Sequence, residues 1–433
     1  MSILSDAQKR TDVAAKLYGA PAWLRSELKM GNPRRVEKLK IKAMTKSGEK
    51  VFQGAVVNDM NPYTIGIPHP YKGGIRYKCY ASPKSMLDVL MVLARDMTYK
   101  CALFGLPFGG GKTCVNVDPL PLTSAERKYI TQGLALEMLG ANILGYDIYV
   151  PGPDMGTDEE IMKYFYLFCA KVNRIIHRPN IAAICTGKPV EFDGIPGRSD
   201  ATSRGGLIIY STMTERATET PTFTIQGAGN VGMNVFKLLS SPDFEVNGKV
   251  IAISDVSGGL YDPNGLNFGE INEHYTINRT FEGYNNARHV TKDEVLRYKT
   301  DALFSAAAEG LINKDNAADI ETSTLVELGN AAVTDEAEQI LEARGIKIIP
   351  DIFANAGGVI VSSFEFRINL GDVPHYVDRK DLKTWVHDEL REIMKSTAEN
   401  VREAQLKYKT NLRTAAYIIA QQQLEFVMKK RNA

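Results

Sequence analysis

The N-terminal part of the chain carries two different periods of hydrophobic and polar residues. Residues 36–43 and 50–58 alternate apolar and polar side chains around a Ser-Gly pair at 47–48, which predicts a β-hairpin. Residues 5–29 and 84–103 instead repeat apolar positions at helical spacing, so each is predicted to form one helix. A mixture of strands and helices is therefore expected from the start of the chain.

Two short motifs predict the beginnings of further helices. Residues 123–126 (TSAE) and 157–160 (TDEE) both fit the capping-box pattern, in which a Ser or Thr precedes a Glu by three positions. Each motif stands before an apolar-periodic stretch. The chain then reaches 195–197 (IPG), a turn-forming sequence that is a plausible domain boundary.

The second half of the chain has the rhythm of a parallel α/β sheet. A helix is predicted at 201–218, then strand, glycine turn, helix and strand through 223–255, with further alternation to about 364. Residues 378–430 are expected to be helical, with a break near 409–411. The predicted fold class is α/β: an N-terminal α/β substrate domain, a Rossmann-like dinucleotide-binding domain, and C-terminal helices that pack back on the first domain. The predicted boundaries are 1–196, 197–364 and 365–433.

Composition and charge exclude several classes of protein. The chain has 433 residues, and 52 Lys and Arg nearly balance 51 Asp and Glu, so nothing favours nucleic acid or an anionic membrane as a partner. No apolar run approaches the roughly 18 residues of a spanning helix, and the start (MSILSDAQKR) does not resemble a signal peptide. The five cysteines form no C-x-x-C pair, so no metal site is predicted and a reducing, cytoplasmic location is expected.

A glycine motif predicts a nucleotide site in the second domain. Residues 222–226 (TFTIQ) are predicted to form a buried strand, and 227–232 (GAGNVG) follow at once, before an apolar-periodic helix. This is G-x-G-x-x-G in its required context, in which Gly227 permits the turn, Gly229 lets the backbone approach a pyrophosphate, and Gly232 allows close packing.

The next predicted strand supplies an acidic residue to this motif. That strand ends at Asp255, 23 residues after Gly232, near the spacing of about 20 expected for an acid that binds the adenosine ribose. Asp255 would repel a 2′-phosphate and so favours NAD over NADP. A nearby basic side chain or an adjusted ribose pose would admit NADP.

A second glycine-rich run is a false match to a phosphate-binding P-loop. The P-loop pattern G-x-x-x-x-G-K-[ST] ending at Lys112 requires glycine at position 106, where the chain has leucine. An ATPase is therefore disfavoured.

Three lysines lie in unusual local sequences. Lys72, Lys100 and Lys112 stand beside glycine turns and apolar runs rather than in polar segments. A lone lysine is nearly always a solvated charge. A shielded cluster of lysines is different, because burial and like charges lower a lysine pKa and leave a neutral, basic amine.

The segments around these lysines resemble the Glu/Leu/Phe/Val (glutamate) dehydrogenase family of amino-acid dehydrogenases. The resemblance runs in order through nearly the whole chain. Its motifs are 70–76 (PYKGGIR), 97–102 (MTYKCA), 106–112 (LPFGGGK), 151–157 (PGPDMGT), 187–189 (GKP), 197–202 (GRSDAT), 227–232, 350–359 (PDIFANAGGV), 361–365 (VSSFE) and 411–417 (NLRTAAY).

This resemblance implies a two-domain subunit with a cleft, NAD(P)-dependent hydride transfer from the amino-acid Cα to nicotinamide C4, and a homo-hexamer. It assigns the substrate α-carboxylate to Lys100 with Met97 beside it, makes Lys112 the catalytic lysine, and gives Asp154 the protons of the amine. The implied cofactor residues beyond the glycines and Asp255 are Thr202, Asn230, Val231 and Asn330.

Lys72 and Ser362 indicate the substrate within the family. The resemblance implies that glutamate enzymes bind the side-chain carboxylate with this lysine and a serine, whereas leucine and phenylalanine enzymes carry an apolar residue. A charged lysine contact favours a dicarboxylate. The predicted reaction is oxidative deamination of L-glutamate to 2-oxoglutarate and ammonium, and its reverse. A dehydrogenase of another amino acid, or a dehydrogenase-like regulatory subunit with little activity, is the alternative.

The chain also departs from the family pattern. Thr113 and Cys114 stand where the family has two glycines, and Leu328 replaces a glycine in the stretch at 327–332. Residues 305–309 (SAAAE) replace a segment that normally starts with proline, and the span from Lys72 to Lys100 is longer than usual. None of these departures removes a proposed catalytic side chain.

Overall fold

The computed structural model describes residues 3–63, 69–215, 220–307, 309–372 and 379–432. The chain divides into two compact units, and each is assembled from separate stretches. The first unit contains 1–198, 359–386 and 417–433; the second contains 199–358 and 387–416. The three domains expected from the sequence, divided after 196 and after 364, stay a prediction.

A five-stranded sheet forms the centre of the first unit. Its spatial order is β1-β2-β4-β3-β5, with β3 parallel to both β4 and β5. The predicted hairpin is confirmed and is longer than expected, because β1 and β2 pair in antiparallel register down to Thr45 and Gly48. The strands are β1 (Arg35–Thr45), β2 (Gly48–Asn58), β3 (Tyr71–Tyr77), β4 (Gly109–Val115) and β5 (Tyr149–Pro153).

Helices cover both faces of this sheet. Apolar side chains at odd positions of β3 and β5, such as Ile75 and Tyr149, pack with α4 and α5, whereas Cys114 of β4 and Ala55 and Val57 of β2 pack against α3. Because side chains alternate between the two faces of a strand, even-numbered positions of β3, β4 and β5 face α3. The helices are α1 (Ile3–Tyr18), α2 (Ala22–Glu27), α3 (Pro83–Leu103), α4 (Ser124–Gly140) and α5 (Glu159–Ile176); 3₁₀ turns lie at Ile181–Ile184 and Val190–Phe192.

Two predictions for these helices are wrong in detail. The single helix expected over 5–29 is broken between α1 and α2, because Gly19 is left-handed (φ +78°) and Pro21 opens a new helix. The predicted capping box at Thr157 is displaced by one residue. Asp158 caps α5 instead, accepting a hydrogen bond from the Ile161 backbone, and this leaves the Thr157 hydroxyl available to another part of the fold.

The C-terminal helices return to earlier parts of the chain, as predicted. In the first unit the rings of Tyr417 and Tyr99 lie 5.0 Å apart, and Gln421 donates a hydrogen bond to the Thr11 carbonyl at 3.0 Å. In the second unit the buried Arg413 guanidinium pairs with carboxylates of earlier helices of the same unit, among them Glu338 and Asp351. The helices are α12 (Gly357–Asn369), α13 (Leu382–Tyr408), after the 3₁₀ turn Arg379–Asp381, and α14 (Leu412–Asn432).

The second unit is built on a seven-stranded sheet. Its order is β12-β11-β10-β6-β7-β8-β9, and the chain reverses its direction of growth at β6, as in a doubly wound fold. The five strands from β12 to β7 are parallel, and β8 and β9 extend the sheet in antiparallel fashion. The strands are β6 (Thr222–Gln226), β7 (Lys249–Ser254), β8 (Gly259–Tyr261), β9 (Arg288–Val290), β10 (Thr300–Ser305), β11 (Thr322–Glu327) and β12 (Lys347–Ile349).

The helices of this unit connect the parallel strands, which confirms the α/β fold class. The helix predicted over 201–218 ends at Met213, and 216–218 lie outside the described residues. The helices are α6 (Ala201–Met213), α7 (Asn230–Leu239), α8 (Phe268–Asn278), α9 (Lys292–Arg297), α10 (Asp335–Ala343) and α11 (Asp351–Ala354), with a 3₁₀ turn at Ala317–Asp319. Within the described part of the chain, no helix is long and apolar enough to cross a bilayer.

Candidate active site

The predicted catalytic side chains of the first unit come from one face of the sheet. Lys72 of β3 lies beside Gly110 of β4 and Val150 of β5 in the parallel register. Lys112 of β4 and Asp154, which directly follows β5, also occupy even-numbered positions. Because alternate side chains face opposite sides of a sheet, all these side chains are on the face that α3 covers. Glycine occupies several intervening positions, and a Cβ on Gly110 would lie 2.0 Å from the Ala94 carbonyl oxygen. The small residues thus let α3 approach the sheet closely.

Asp154 joins two cations at the carboxyl end of these strands. Its Oδ2 accepts a hydrogen bond from Arg76 Nε at 2.8 Å and lies 3.1 Å from Lys112 Nζ. The Asp154 backbone N–H donates to the Thr157 hydroxyl at 2.8 Å, which is the contact made by the residue freed from helix capping. Two catalytic residues expected from the sequence are therefore in direct contact.

The charges of this cluster fix its protonation. Burial would raise the pKa of Asp154, but Lys112 and Arg76 lower that pKa well below its ordinary value, so the carboxylate is ionised. Burial lowers the pKa of Lys112, Asp154 opposes this shift, and Arg76 adds to it. Lys112 therefore gives up its proton more readily than a solvated lysine.

Lys72 lies in a second polar region of the same face. Its side chain is 2% exposed, and burial together with the nearby Arg198 lowers its pKa to about 7. A Cβ on Gly152 would lie 3.3 Å from Lys72 Nζ and 3.1 Å from Thr186 Oγ1. The Thr186 hydroxyl is buried and has no hydrogen-bond partner among the described residues. Lys72, Arg198 and Thr186 together are suited to hold an anion.

Ser362 reaches this region through Arg198. The Arg198 Nε donates to Ser362 Oγ at 3.4 Å and lies 4.0 Å from Glu365 Oε2 on the same helix, α12. The predicted pairing of Ser362 with Lys72 around a carboxylate stays a prediction. What is observed is that the serine is buried beside a cation that acts electrostatically on Lys72.

A buried ion pair explains the 187–189 (GKP) motif. Lys188 Nζ lies 2.8 Å from Glu365 Oε1, and both side chains are fully buried. Lys188 also donates to the Cys185 carbonyl and to Asn369, while the Gly187 N–H donates to Glu365. This network attaches the loop that carries Thr186 to α12, so Lys188 positions the loop.

Lys100 and Met97 belong to the C-terminal half of α3. Lys100 is buried at 7% exposure and Met97 is half-buried. Lys100 is close enough to Lys112 and Cys101 to affect their pKa values. Lys72 and Lys100 both act on the buried Cys101 thiol, and Lys100 also acts on Lys112. That the three lysines form one binding site stays a prediction.

The departures at Thr113 and Cys114 are accommodated inside β4. Thr113 donates a hydrogen bond to Tyr149 on β5 at 2.9 Å, and Cys114 packs in the α3 interface. Since Lys112 lies within a strand rather than at the start of a helix, the glycine run at 109–111 is no P-loop. Of the departing segment 305–309, Ala308 lies outside the described residues.

The glycine motif of the second unit has the geometry of a dinucleotide turn. Gly227 is left-handed (φ +100°), and a Cβ on Gly232 would lie 1.8 Å from the Gly227 carbonyl oxygen, so both positions require glycine. Gly229 caps α7, whose first residues are Asn230 and Val231. The free N–H groups of this helix start, at the reversal point of the sheet, fit the pyrophosphate of a dinucleotide.

Asp255 is placed as predicted but is already hydrogen-bonded. It is buried just after β7, and its Oδ1 accepts from the Ser257 backbone and hydroxyl and from the Gly258 N–H, while Oδ2 accepts from Phe281 N–H. A ribose hydroxyl therefore has little of this carboxylate left to bind.

A cavity of about 440 Å³ adjoins the glycine turn. Two cations, Lys237 and Arg279, stand on its wall together with Gly229 and Asn230. The other expected cofactor residues lie elsewhere in the unit: Thr202 is on the first turn of α6, and Asn330 follows β11 and accepts a hydrogen bond from Asn355 at 3.0 Å. No group of three or more His, Cys, Asp or Glu side chains suited to a metal ion occurs among the residues described.

Five residues of these sites were missed by the sequence reasoning: Arg76, Arg198, Thr186, Lys237 and Arg279. Arg76 and Arg198 lie inside the motifs at 70–76 and 197–202, but a motif that already contains a lysine or an aspartate gives no reason to single out its arginine. Thr186 stands directly before the 187–189 motif. For Lys237 the helical spacing after the glycine turn was the available signal.

Two stretches of the chain match one family of known proteins. Residues 194–432 match the family described as Glutamate/Leucine/Phenylalanine/Valine dehydrogenase, and residues 33–170 match its dimerisation domain. This chain belongs to the Glu/Leu/Phe/Val dehydrogenase family. Membership confirms the resemblance and places the chain among NAD(P)-dependent amino-acid dehydrogenases.

Relatives of known activity support the same family. Glutamate dehydrogenase of Thermotoga maritima is 37% identical over 84% of this chain and 83% of its own length. NADP-specific glutamate dehydrogenase of Synechocystis is 33% identical over 99% of this chain and 96% of its own. The hetero-hexameric glutamate dehydrogenase of Thermus thermophilus has the same fold, with a TM-score of 0.86 at 24% identity, covering 98% of this chain and 96% of its own.

Proposed function

We propose that this chain catalyses the NAD(P)-dependent oxidative deamination of L-glutamate to 2-oxoglutarate and ammonium, and the reverse reaction. The observation that carries this proposal is the buried sheet face that holds Lys72, Lys112 and Asp154, covered by the helix α3 that holds Lys100. The relatives named glutamate dehydrogenase support the choice of substrate.

The cations divide between the two ends of a dicarboxylate. Lys72, Arg198 and the hydroxyls of Thr186 and Ser362 would hold the side-chain carboxylate, because their positive charge and donors are buried together. Lys100, with Met97 beside it, would hold the α-carboxylate. A bound side-chain carboxylate would give the buried Lys72 amine a charged partner, which favours a dicarboxylate over an apolar side chain here.

Lys112 and Asp154 would carry the proton transfers. The substrate ammonium must become an amine before a hydride can leave Cα, and Asp154 would relay that proton, holding it only transiently because its pKa is low. Oxidation then gives an iminium that water must attack, and a neutral Lys112 amine can take a proton from that water. When bound, the dinucleotide supplies the hydride acceptor.

The second unit would hold that dinucleotide through the glycine turn, with Thr202 and Asn230 toward its nicotinamide half and Asn330 as a further cofactor residue. Asp255 argues for NAD, but its oxygens accept hydrogen bonds from the chain itself. Lys237 and Arg279 line the adjoining cavity and can compensate a 2′-phosphate. We therefore propose that NADP is accepted as well as NAD.

If Arg279 contacts a 2′-phosphate, the substitution Arg279→Ala should weaken the binding of NADPH. The KM for NADPH should rise about tenfold, because a charged contact is lost, while the KM for NADH stays within about twofold. Arg297→Ala is the matched control, since Arg297 pairs with Asp319 elsewhere in the same unit. Steady-state kinetics with both nucleotides provide the measurement. Equal changes in the two KM values would show that Arg279 does not face a 2′-phosphate.

The titration of Lys72 predicts how binding depends on pH. Since its pKa is lowered to about 7, the amine is charged below that pH and increasingly neutral above it, whereas dicarboxylates stay ionised. Calorimetry with glutarate should therefore show affinity falling between pH 7 and pH 9, by up to about tenfold per pH unit. In Lys72→Arg the dependence should disappear, because arginine stays charged. A constant affinity in the unsubstituted protein would contradict the assignment.

The proposed function is tested by reductive amination. Consumption of NADH and NADPH is followed with ammonium and 2-oxoglutarate, and then with branched and aromatic 2-oxo acids. Rates highest with 2-oxoglutarate support the proposal. Rates highest with another oxo acid would replace the substrate, and rates equal to those of Lys112→Ala for every acid would support the regulatory subunit.

The assembly and location stay proposals. We propose a homo-hexamer, as the sequence resemblance implies, and light scattering of the purified chain alone measures its mass. A different stoichiometry, or a need for a second chain as in the Thermus thermophilus hetero-hexamer, would contradict it. The location expected from the cysteines stays a prediction.

A further inference from the structure

Arg76 is a buried cation to which neither the sequence motifs nor the proposed mechanism gives a role. It is 1% exposed on β3, and its Nε donates to Asp154 Oδ2, the same oxygen that lies 3.1 Å from Lys112 Nζ. One carboxylate thus faces two cations of different chemistry. A guanidinium keeps its proton at any ordinary pH, whereas an amine can release one.

We propose that Arg76 is a positioning residue that serves as the permanent counter-ion of Asp154 and thereby allows Lys112 to act as a neutral base. If Lys112 were the sole partner of Asp154, its deprotonation would leave a buried carboxylate unpaired, which is costly. With Arg76 in place, the carboxylate remains paired and hydrogen-bonded after Lys112 has lost its proton. This inference rests on the proposed function, since it assumes that Lys112 is the base.

Cys114, Tyr149 and Arg76 beside the cluster do not compete for this proton in the neutral range. The charged and titratable groups that act on Lys112 or Asp154 come from β3, α3, β4 and β5, and are Arg76, Lys100, Cys114 and Tyr149, while Tyr80 acts on Arg76. Burial raises the pKa of Cys114 to about 12 and that of Tyr149 above its ordinary value. Burial opposes the charge of Arg76, but Asp154 raises its pKa overall.

The sign of the effect follows from these charges. Removing Arg76 removes a positive charge beside Lys112 and leaves Asp154 to pair with Lys112 alone, so the protonated amine becomes more stable. Activity that depends on a neutral Lys112 rises as pH rises through the pKa of that amine. Its acidic limb should therefore move to higher pH.

The test is the pH profile of kcat/KM for glutamate, which reports groups of the free enzyme. In Arg76→Gln the acidic limb should move up by about one pH unit or more, so that activity lost at pH 7 is largely recovered at higher pH. Arg76→Lys, which carries a positive charge while its amine is protonated, should move the acidic limb less than Arg76→Gln does. A loss of activity by the same factor at every pH would overturn the proposal, because a purely structural role predicts that result.

Arg95→Gln is the matched control. Arg95 is also a buried arginine of the first unit, bound to Asp59 through Nε at 2.6 Å, but it does not belong to the cluster around Lys112. This substitution should leave the acidic limb at its original pH, whatever it does to stability. A shift equal to that of Arg76→Gln would overturn the proposal.

A direct titration of Lys112 separates this inference from the proposed function. Competitive acylation with mass-spectrometric readout gives the pKa of the Lys112 amine without any turnover. That pKa should be higher in Arg76→Gln. It should be lower in Asp154→Asn, a second variant that tests the coupling between Lys112 and the carboxylate if Arg76→Gln does not fold. An unchanged Lys112 pKa in Asp154→Asn or in folded Arg76→Gln would overturn the proposal even in an active enzyme. If the shifts are found but glutamate is not turned over, the proposed function fails and the charge relationship stands.

Discussion

Alanine in place of Lys112 is expected to lower kcat for glutamate oxidation by about 10²–10⁴-fold. The substitution removes the amine that is proposed to activate water, and it also leaves Asp154 with Arg76 as its remaining close cation. Since Arg76 still pairs the carboxylate, the fold should be retained. The measurement is steady-state turnover at several pH values, together with a thermal unfolding curve.

The control for this substitution is Lys84→Ala. Lys84 is an exposed lysine of α3 in the same unit, and its removal should change kcat by less than about twofold. Binding of the dinucleotide, measured by fluorescence, should be unaffected in both variants, because the glycine turn lies in the other unit. A Lys112→Ala enzyme with more than half of the original kcat would refute the catalytic assignment.

Lys72→Leu is expected to remove glutamate turnover selectively. The substitution takes a buried cation from the region of Arg198 and Thr186 and replaces it with a shorter apolar side chain. Loss of one partner of a buried charge pair costs about 2–5 kcal/mol, so kcat/KM for glutamate should fall at least about thirtyfold. Turnover of norvaline or leucine should fall far less or rise, since their side chains carry no charge to pair.

The decisive measurement is the ratio of kcat/KM between glutamate and norvaline. Lys40→Leu, at an exposed position of β1, is the matched control and should leave that ratio unchanged. A fall of both kcat/KM values by the same factor in Lys72→Leu would indicate a general disturbance of the site. An unchanged preference for glutamate would rule out Lys72 as the side-chain carboxylate partner.

The parts of this fold that can be predicted from the sequence are those that depend on local geometry. The hairpin at 35–58 is visible because its side chains alternate along one chain segment, with a turn at its centre. The dinucleotide turn is visible because Gly227 and Gly232 meet steric conditions that no other residue satisfies. Both features depend on neighbours in the chain.

Contacts between distant segments were not accessible in the same way. Arg76 and Asp154 are 78 positions apart, and their contact depends on β5 pairing with β3 rather than with β4. Nothing in the alternation of side chains states that strand order. The resemblance to a family placed Lys112 and Asp154 in one site. The contact of Arg76 with Asp154 could be found only in the three-dimensional structure.

Competition between local signals accounts for the errors at helix ends. Thr157 and Asp158 are both good capping residues, and the structure uses Asp158 because the Thr157 hydroxyl is engaged by Asp154 and the Ile75 carbonyl. The break between α1 and α2 follows from Pro21. The apolar residues keep their helical spacing across this proline, so the periodicity alone does not indicate the break. In each case the preferences were readable, and tertiary contacts or one special residue decided between them.

The interleaving of the two units has a consequence for synthesis on the ribosome. The first unit needs 1–198 together with the last residues of the chain, and Gln421 near the C-terminus bonds to Thr11 near the N-terminus. The second unit likewise needs Arg413 to neutralise carboxylates that lie far earlier in the sequence. Neither unit can therefore complete its native contacts until residues 413–421 have been synthesised, and a nascent chain that lacks them exposes surfaces prone to aggregation.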